Sequence, residues 1–372
     1  MNFRTRALLA LLCGLATIHW IISYCSDGGL FSVVTDYEEP GEVTQRELEL
    51  AVFEPTLRDP ATRLLEENST FAVNSTDDSV FHMQPSTLTQ CPVHPPNLVG
   101  PIRVFMEEAK MEDLEKAFPT LEVGGHSTPT NCLSRHRVAV IVPFRDRLPH
   151  LRILLHNLIG LLQKQQIDFA VFTVEPIHNN TFNRAKLMNI GYKEALKLYP
   201  WNCFIFHDVD LIPEDDRNLY SCPQQPRHMS VAIDKFKYIL PYRSIFGGIS
   251  AMTKEHMEKM NGFSNDYWGW GGEDDDMSSR VVYAGYKISR YPKAIARYKM
   301  IKHSEEKKSN PVNPCRHKLM GKTRRRYKKD GLANLRYKTI RVDRNPLYTH
   351  IEVDMYEKES RAELAKAGFP GC

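Results

Sequence analysis

The sequence predicts an α/β fold on a mostly parallel sheet, standing behind one N-terminal membrane-spanning helix and a flexible stem. Three observations carry this expectation. Residues 7–25 form an uncharged apolar run, a long acidic segment poor in aromatics follows, and strand-like and helix-like patterns alternate from residue 138 onward. Of the 372 residues, 42% are hydrophobic and 25% charged, which excludes a disordered chain, a collagen-like repeat and a polytopic membrane protein. The length allows one large domain with appendages, and no internal repeat is present.

The apolar run, ALLALLCGLATIHWIISYC, would span roughly 28 Å as a helix, close to the thickness of a thin bilayer. Arg4 and Arg6 precede it, while Asp27, Asp36, Glu38 and Glu39 follow. The positive-inside bias therefore leaves residues 1–6 in the cytosol and the rest in a lumen. A cleaved signal peptide is the competing reading, but the run exceeds a usual signal core and no small-residue cleavage pattern follows it. A short span also suits membranes of the early secretory pathway. Residues 26–90 hold 13 acids against three bases (Arg46, Arg58 and Arg63) with no sustained period, and read as a stem. Residues 91–372 carry 44 bases against 32 acids, which suits an anionic partner. A lumenal placement argues against nucleic acid, and the basic run at 324–329 reads as a solvated face.

Of eight cysteines, Cys13 and Cys25 lie in or at the span, leaving Cys91, Cys132, Cys203, Cys222, Cys315 and Cys372 for the lumen. No C-x-x-C pair occurs, so disulfides are a simpler reading than zinc or redox sites. Asn68, Asn74 and Asn179 each open an N-x-S/T sequon, usable only in a secretory lumen.

A folded body is expected from Cys91 to Cys372. Residues 138–142 (VAVIV) read as a buried strand, 149–163 as an amphipathic helix, 169–174 as a second strand, 183–198 as a second helix and 203–207 as a third strand. That order is the signature of a parallel sheet with crossover helices, whose ligands bind at the carboxyl ends of the strands. At those ends stand Arg145 and Arg147, then Phe182, Asn183 and Arg184, then Asp208, Val209 and Asp210. No Gly-rich phosphate loop is present. A D-x-D at a strand end can replace it by holding a divalent ion that bridges a diphosphate, although an acidic turn is the blander alternative.

Residues 267–276 read YWGWGGEDDD. Four consecutive acids beside two tryptophans and three glycines make a poor core segment. Indoles stack on sugar rings, glycines allow close approach, and a carboxylate can take a proton from an attacking hydroxyl. The alternative is a solvent-facing acidic turn capping a helix that starts near Asp275. Met300 and His303 share a side if their segment is helical, and do not if it is extended.

Taken together, VPFRDR, FNRAKLMNIGY, FHDVDLIP, CPQQPRHMSVAIDKF, FGGISAM, NGFSNDYWGWGGEDDD and MIKHSEEK resemble the β1,4-galactosyltransferase family of Golgi type II membrane enzymes, over residues 91–353. The resemblance implies a GT-A-type, Rossmann-like domain that binds a UDP-sugar at Mn²⁺ and inverts the anomeric centre. It implies donor contacts from Pro143, Phe144, Arg145, Asp146, Arg147, Phe182, Asn183, Arg184, Asp208, Val209 and Asp210, with Trp270 and His303 against the sugar and phosphate. Asp210, Met300 and His303 would ligate the metal. Gly272, Glu273, Asp274, Asp275 and Arg316 would face a GlcNAc-terminated acceptor, with Arg316 closing that end and Asp274 as the base. It further implies disulfides Cys91–Cys132 and Cys203–Cys222, and leaves Cys315 and Cys372 unassigned. Two positions depart from the pattern. Ile245 stands where galactose-transferring vertebrate members have Tyr, and resembles the N-acetylgalactosamine-transferring invertebrate members; a shorter apolar residue there leaves room for an acetamido group. Ile245 merely packing under the sheet edge is the alternative. His317 stands where an aromatic commonly follows the arginine. The sequence is thus expected to encode a β1,4-N-acetylgalactosaminyltransferase, with a β1,4-galactosyltransferase as the alternative, in the Golgi membrane. A lectin would keep the tryptophans without needing D-x-D and a distant His together, and a metal-dependent hydrolase would need a water-activating site and usually more than two metal-ligating carboxylates or histidines.

Overall fold

The computed structural model describes residues 81–84, 87–177, 180–302 and 310–372. The apolar run at 7–25, the sequons at Asn68, Asn74 and Asn179, and His303 lie outside them. Among the described residues no helix is long and apolar enough to cross a membrane.

Helix α1 (Met111–Ala117) leads to strand β1 (Arg137–Pro143), which is buried at six of its seven positions. Such continuous burial is what a central parallel strand requires, because helices cover both of its faces. Helix α2 (Leu148–Lys164) begins with Pro149 in its first turn, where a missing N–H costs no hydrogen bond, and buries the stripe Leu151, Leu154, Leu155, Leu158 and Leu162. Then come β2 (Asp168–Pro176), α3 (Arg184–Leu198) and β3 (Cys203–His207). These five elements match the sequence periodicity to within two residues.

The second half completes two sheets. β4 (Leu211–Pro213), β5 (Arg227–His228), β6 (Ala232–Ile233), β7 (Ile249–Thr253), β8 (Arg297–Met300), β9 (Lys338–Arg344) and β10 (Thr349–Asp354) follow in the chain. The large sheet has the order β5-β7-β3-β1-β2-β10-β9, and the small one β4-β8-β6. The four central strands β3, β1, β2 and β10 are parallel, as expected, whereas β7, β5 and β9 pair antiparallel at the edges. β9 and β10 are joined by residues 345–348 alone, too short for the crossover that parallel neighbours need. The short helices are α4 (Lys254–Lys259), α5 (Glu273–Tyr283), α6 (Arg316–Met320), α7 (Thr323–Arg326) and α8 (Glu357–Lys366).

Strand alternation divides the core. Val138, Val140 and Val142 pack toward α2, while Ala139 and Ile141 pack toward α3 with Phe172, Leu187, Ile190 and Phe204. Each such buried side chain contributes about 1.5–3 kcal/mol of transfer free energy. Packing starts upstream of the expected boundary at Cys91. Phe81 is buried and meets Phe172, Tyr199 and Trp201 edge-on, so residues assigned by composition to the stem contribute to the core. An isolated aromatic in a polar run carries no periodicity, which is why the pattern hid it. Three disulfides close the body: Cys91–Cys132, Cys203–Cys222 and Cys315–Cys372.

Candidate active site

A cleft of about 520 Å³ opens at the carboxyl ends of β1 and β3. On one side it is lined by Pro143, Arg145 and Arg147 after β1, by Phe182 and Arg184 at the start of α3, and by Asp208, Val209 and Asp210 after β3. On the other it is lined by Trp270, Gly272, Glu273, Asp274 and Asp275, with Arg316 and His317 from α6. The topology thus gathers segments separated by more than a hundred residues into one surface, at the edge where α/β sheets bind ligands.

Arg184 is the hub of the first side. Its Nε donates to Asp208 Oδ1 at 2.6 Å, its Nη2 donates to the Gly248 carbonyl at 3.0 Å, and its Nη1 lies 3.7 Å from Glu273 Oε1. Burial opposes its charge, but Asp208, Glu273 and Asp274 outweigh that and raise its pKa. Asp208 is pushed up to about 6 by burial, with Arg184 pulling it down and Asp210 pushing it up. Two carboxylates crowded against one guanidinium leave a surplus of negative charge that a divalent cation would relieve.

The D-x-D segment is fixed from both ends. The Cys203–Cys222 disulfide ties β3 to the chain beyond it. The β4–β8 ladder places Met300 opposite Leu211, and the Ile301 N–H donates to the Asp210 carbonyl at 2.8 Å. Asp210 and Met300 are thereby neighbours in one ladder. Residues 297–300 are a strand, so the helical spacing that would put Met300 and His303 on one side does not apply. Among the described residues no three His, Cys, Asp or Glu side chains form a metal cage. Asp210 lines the cleft and Met300 does not; a hard carboxylate there suits a divalent ion, and the third expected ligand, His303, lies outside the described residues.

The second side is built on the N-terminus of α5, whose first turn is Glu273, Asp274, Asp275 and Asp276. Four acids are favoured there by the helix dipole. Gly272 caps the helix at φ +92°, and a Cβ on it would sit 2.9 Å from the Arg316 Cβ, so only glycine lets α5 and α6 meet. The four acids divide by surroundings. Asp276 is fully buried, pairs with Arg280 at 2.6 Å and accepts from Tyr267 and Thr323, so it belongs to the scaffold. Asp275 accepts from the Tyr242 hydroxyl at 2.9 Å. Glu273 is raised to about 7, chiefly by burial and by Asp274 against the pull of Arg184, and its Oε2 is buried with no partner. Asp274 lies against Gly247, where a Cβ would come within 2.4 Å of its Oδ2.

The two tryptophans also divide. Trp270 is 61% exposed, and its backbone is tied to Pro311 and Asn313, whereas Trp268 is buried beneath the Lys186 ammonium, 5.3 Å from its ring centre. Only Trp270 can stack on a ligand.

Four expected donor contacts, and the expected metal ligand Met300, are not on the cleft wall. Phe144 is buried edge-on to His350, because the residue after a buried strand turns inward. Asp146 is exposed and its N–H donates to Glu175. Asn183 is fully buried as the N-cap of α3, accepting from the Lys186 N–H at 2.9 Å and donating to the Asn265 carbonyl. Ile245 is half-buried in the segment between β6 and β7, and its side chain does not line the cleft. The sequence reading missed Tyr242, Gly247 and Gly248, which do line it. A Gly-Gly pair just before a buried strand was the available signal.

Residues 91–223 match the family model for the N-terminal region of glycosyl transferase group 7. Residues 227–304 match the one described as the N-terminal domain of galactosyltransferase. Beta-1,4-galactosyltransferase 1 of Mus musculus is 48% identical over 270 residues, covering 72% of this chain and 67% of that protein. The Homo sapiens protein of that name is 46% identical over 285 residues, 76% of this chain and 71% of that one. Among solved structures, the catalytic domain of Drosophila beta1,4-galactosyltransferase 7 in complex with xylobiose superposes with a TM-score of 0.53 at 30% identity, over 64% of this chain and 99% of that one. A mutant of that enzyme in complex with manganese, UDP-Gal and xylobiose matches with the same TM-score and identity, over 63% and 98%.

Proposed function

The chain belongs to the β-1,4-galactosyltransferase family, and from that premise we propose that it transfers galactose from UDP-galactose, in β1,4 linkage and with inversion, to a terminal N-acetylglucosamine. The observation that carries this reading is the two-sided cleft, with basic groups and a carboxylate pair facing a second acidic row across one opening. The Drosophila relative solved with manganese and UDP-Gal supports the same donor and metal for this chain.

In the proposed reaction Arg145, Arg147 and Arg184 face the diphosphate, with Phe182 and Val209 on the nucleoside side. Phe144, Asp146 and Asn183 act on it only through the backbone they hold. Asp210, Met300 and His303 would hold Mn²⁺, which supplies charge compensation for the departing diphosphate when bound. Trp270 covers the sugar. Glu273 and Asp275 orient the acceptor, whose Oε2 partner at Glu273 is otherwise missing, and Arg316 closes its end with His317 beside it. The acceptor 4-hydroxyl gives its proton to Asp274 as its oxygen bonds to C1, and the bond from C1 to the diphosphate oxygen breaks on the opposite face, releasing UDP. In-line displacement by one nucleophile inverts the centre.

A second donor, UDP-N-acetylgalactosamine, rests on Ile245 alone: it is shorter than Tyr and offers no hydroxyl, but, two residues before Gly247, its side chain stands off the cleft wall. The ratio of kcat/KM for the two donors decides between them. A native preference for galactose supports the first reading, whereas an N-acetylgalactosamine preference that Ile245→Tyr reverses supports the second.

UDP release with and without acceptor tests the class. A transferase needs the acceptor, a hydrolase does not, and a lectin releases nothing. Asp274→Asn is expected to lower kcat about 10³-fold while UDP-sugar affinity stays within about threefold, and excess chelator should abolish transfer. We place the chain in the Golgi membrane as a type II protein, anchored by residues 7–25 with the body in the lumen. The three disulfides, stable in an oxidising compartment, support that placement.

A further inference from the structure

We propose that Arg290 is a positioning residue for the transfer site, acting through His228 and the backbone of residues 243–247. The assignment rests on the reading of the cleft as a transferase site.

Neither Arg290 nor His228 lines the cleft. The segment between β6 and β7 does, through Tyr242, Gly247 and Gly248, and it also carries Ile245. Ile239 and Tyr242 are 66% and 43% exposed, and Phe246 is the one side chain of 234–248 buried in the core, so packing holds this segment at a single point. Within it the Ile245 N–H donates to Tyr242 at 3.2 Å. The firmer anchors come from outside.

Arg290 Nη2 donates to the Arg243 carbonyl at 2.9 Å and to the Ile245 carbonyl at 2.7 Å. Both hydrogens of that nitrogen are used. Arg290 Nε lies 3.1 Å from His228 Nδ1. A guanidinium nitrogen can only donate, so Nδ1 accepts and the ring proton sits on Nε2. His228 Nε2 then donates to the Gly247 carbonyl at 3.0 Å, which also accepts from Ser230 Oγ at 3.0 Å. Burial and Arg290 hold the imidazole neutral, as this tautomer requires. Gly247 is in turn the residue pressed against Asp274. One cation thus gathers three acceptors and sets the distance between the segment and the carboxylate proposed as the base.

The planar fork is required. A lysine ammonium can satisfy one or two of these acceptors, but its stem carries no donor at the Nε position to hold His228. Losing several hydrogen bonds that fix one segment is worth on the order of tenfold or more in a rate that depends on its placement. The diphosphate side of the cleft has its own anchors, Arg184 on Asp208 and the Cys203–Cys222 disulfide, and meets the segment at the Gly248 carbonyl, which Arg184 and the Asp208 N–H hold without Arg290, so it is expected to be untouched.

The test compares the native lumenal protein with Arg290→Ala, Arg290→Lys and His228→Gln, the last keeping one donor and one acceptor. Expected for Arg290→Ala are a kcat lowered about tenfold and a changed ratio of kcat/KM for the two UDP-hexoses, with UDP affinity in Mn²⁺ within about twofold of native. Arg290→Lys should fall between, and His228→Gln near native. Amide hydrogen exchange should quicken at 239–248 in Arg290→Ala and stay unchanged elsewhere. Native kinetics in Arg290→Ala, or a uniform loss of UDP affinity, kcat and melting temperature with exchange rising throughout, would overturn the assignment. If the native protein transfers neither hexose, the transferase reading fails, and the exchange comparison still decides whether Arg290 holds the segment.

Discussion

Gly247 and the Asp274 carboxylate leave no room for a Cβ between them. A Cβ would approach Asp274 Oδ2 to 2.4 Å and its Cγ to 3.3 Å, so any side chain must move the carboxylate. Gly247→Ala is therefore expected to lower kcat about a hundredfold while UDP affinity stays within about twofold, read from steady-state kinetics and calorimetric titration. The neighbouring acids respond differently because their partners differ. Asp276 is wholly buried and bonded to Arg280, Tyr267 and Thr323, and Asp276→Asn leaves Asp330, 3.1 Å away, as the remaining carboxylate partner of Arg280. Weakening one of two charged partners of a buried guanidinium costs about 1–3 kcal/mol, which denaturant melts would show, whereas Asp274→Asn should melt near the native midpoint. Four adjacent letters of one type thus carry two unrelated tasks.

At the scale of elements, the acceptor end depends on helices too short to stand alone. α6 has five residues and α7 four, below the length at which a helix is stable without tertiary support. Their support is the C-terminus. Cys315, immediately before α6, is bonded to Cys372, and Phe369 is buried beneath Lys318, Lys322 and Arg326, each 5.1–5.5 Å from its ring centre. Part of the basic run at 324–329 is therefore engaged: Arg326 also pairs with Asp266 and Asp330. Replacing both Cys315 and Cys372 by Ser is expected to cost about 2–4 kcal/mol in urea melts. The acceptor KM should rise in the same variant, since α6 carries Arg316 and His317, while the donor KM stays near native.

Across the whole molecule, buried neutral histidines oppose acid. His207 and His228 are 0% and 1% exposed, and burial lowers their pKa values from 6.5 to about 4 and about 3, with Arg184 and Arg290 acting in the same direction. Below pH 6.5 the unfolded chain takes up protons that the folded one refuses. The stability from these groups is complete above pH 6.5 and is lost as pH falls toward the folded values, by about 2 kcal/mol each at pH 5. Asp208, Asp266 and Glu273, raised to about 6, about 7 and about 7, act in the opposite sense over the same range, so the histidine share is read as a difference: from pH 7.5 to 5 the melting temperature of His228→Gln should fall less, or rise more, than that of the native protein.

The local pattern alone determined β1, α2, β2, α3 and β3, because a continuous apolar run and a 3.6-residue stripe report the burial that makes an element. It also marked the residues whose chemistry is unusual for their setting, the D-x-D after β3 and the acids after YWGWGG. Motif resemblance carried the family and the first two disulfides. Tertiary structure decided what each marked residue touches. It turned Asn183 into a helix cap, sank Trp268 into the core while leaving Trp270 in the cleft, and drew Phe81 into the body. It also supplied Tyr242 and Arg290, neither of which carries a signal in its own neighbourhood. The physical reason is range: periodicity reads contacts within a few residues, whereas the cleft is assembled from segments that meet only when β3 pairs with β7 and α5 packs beside α6.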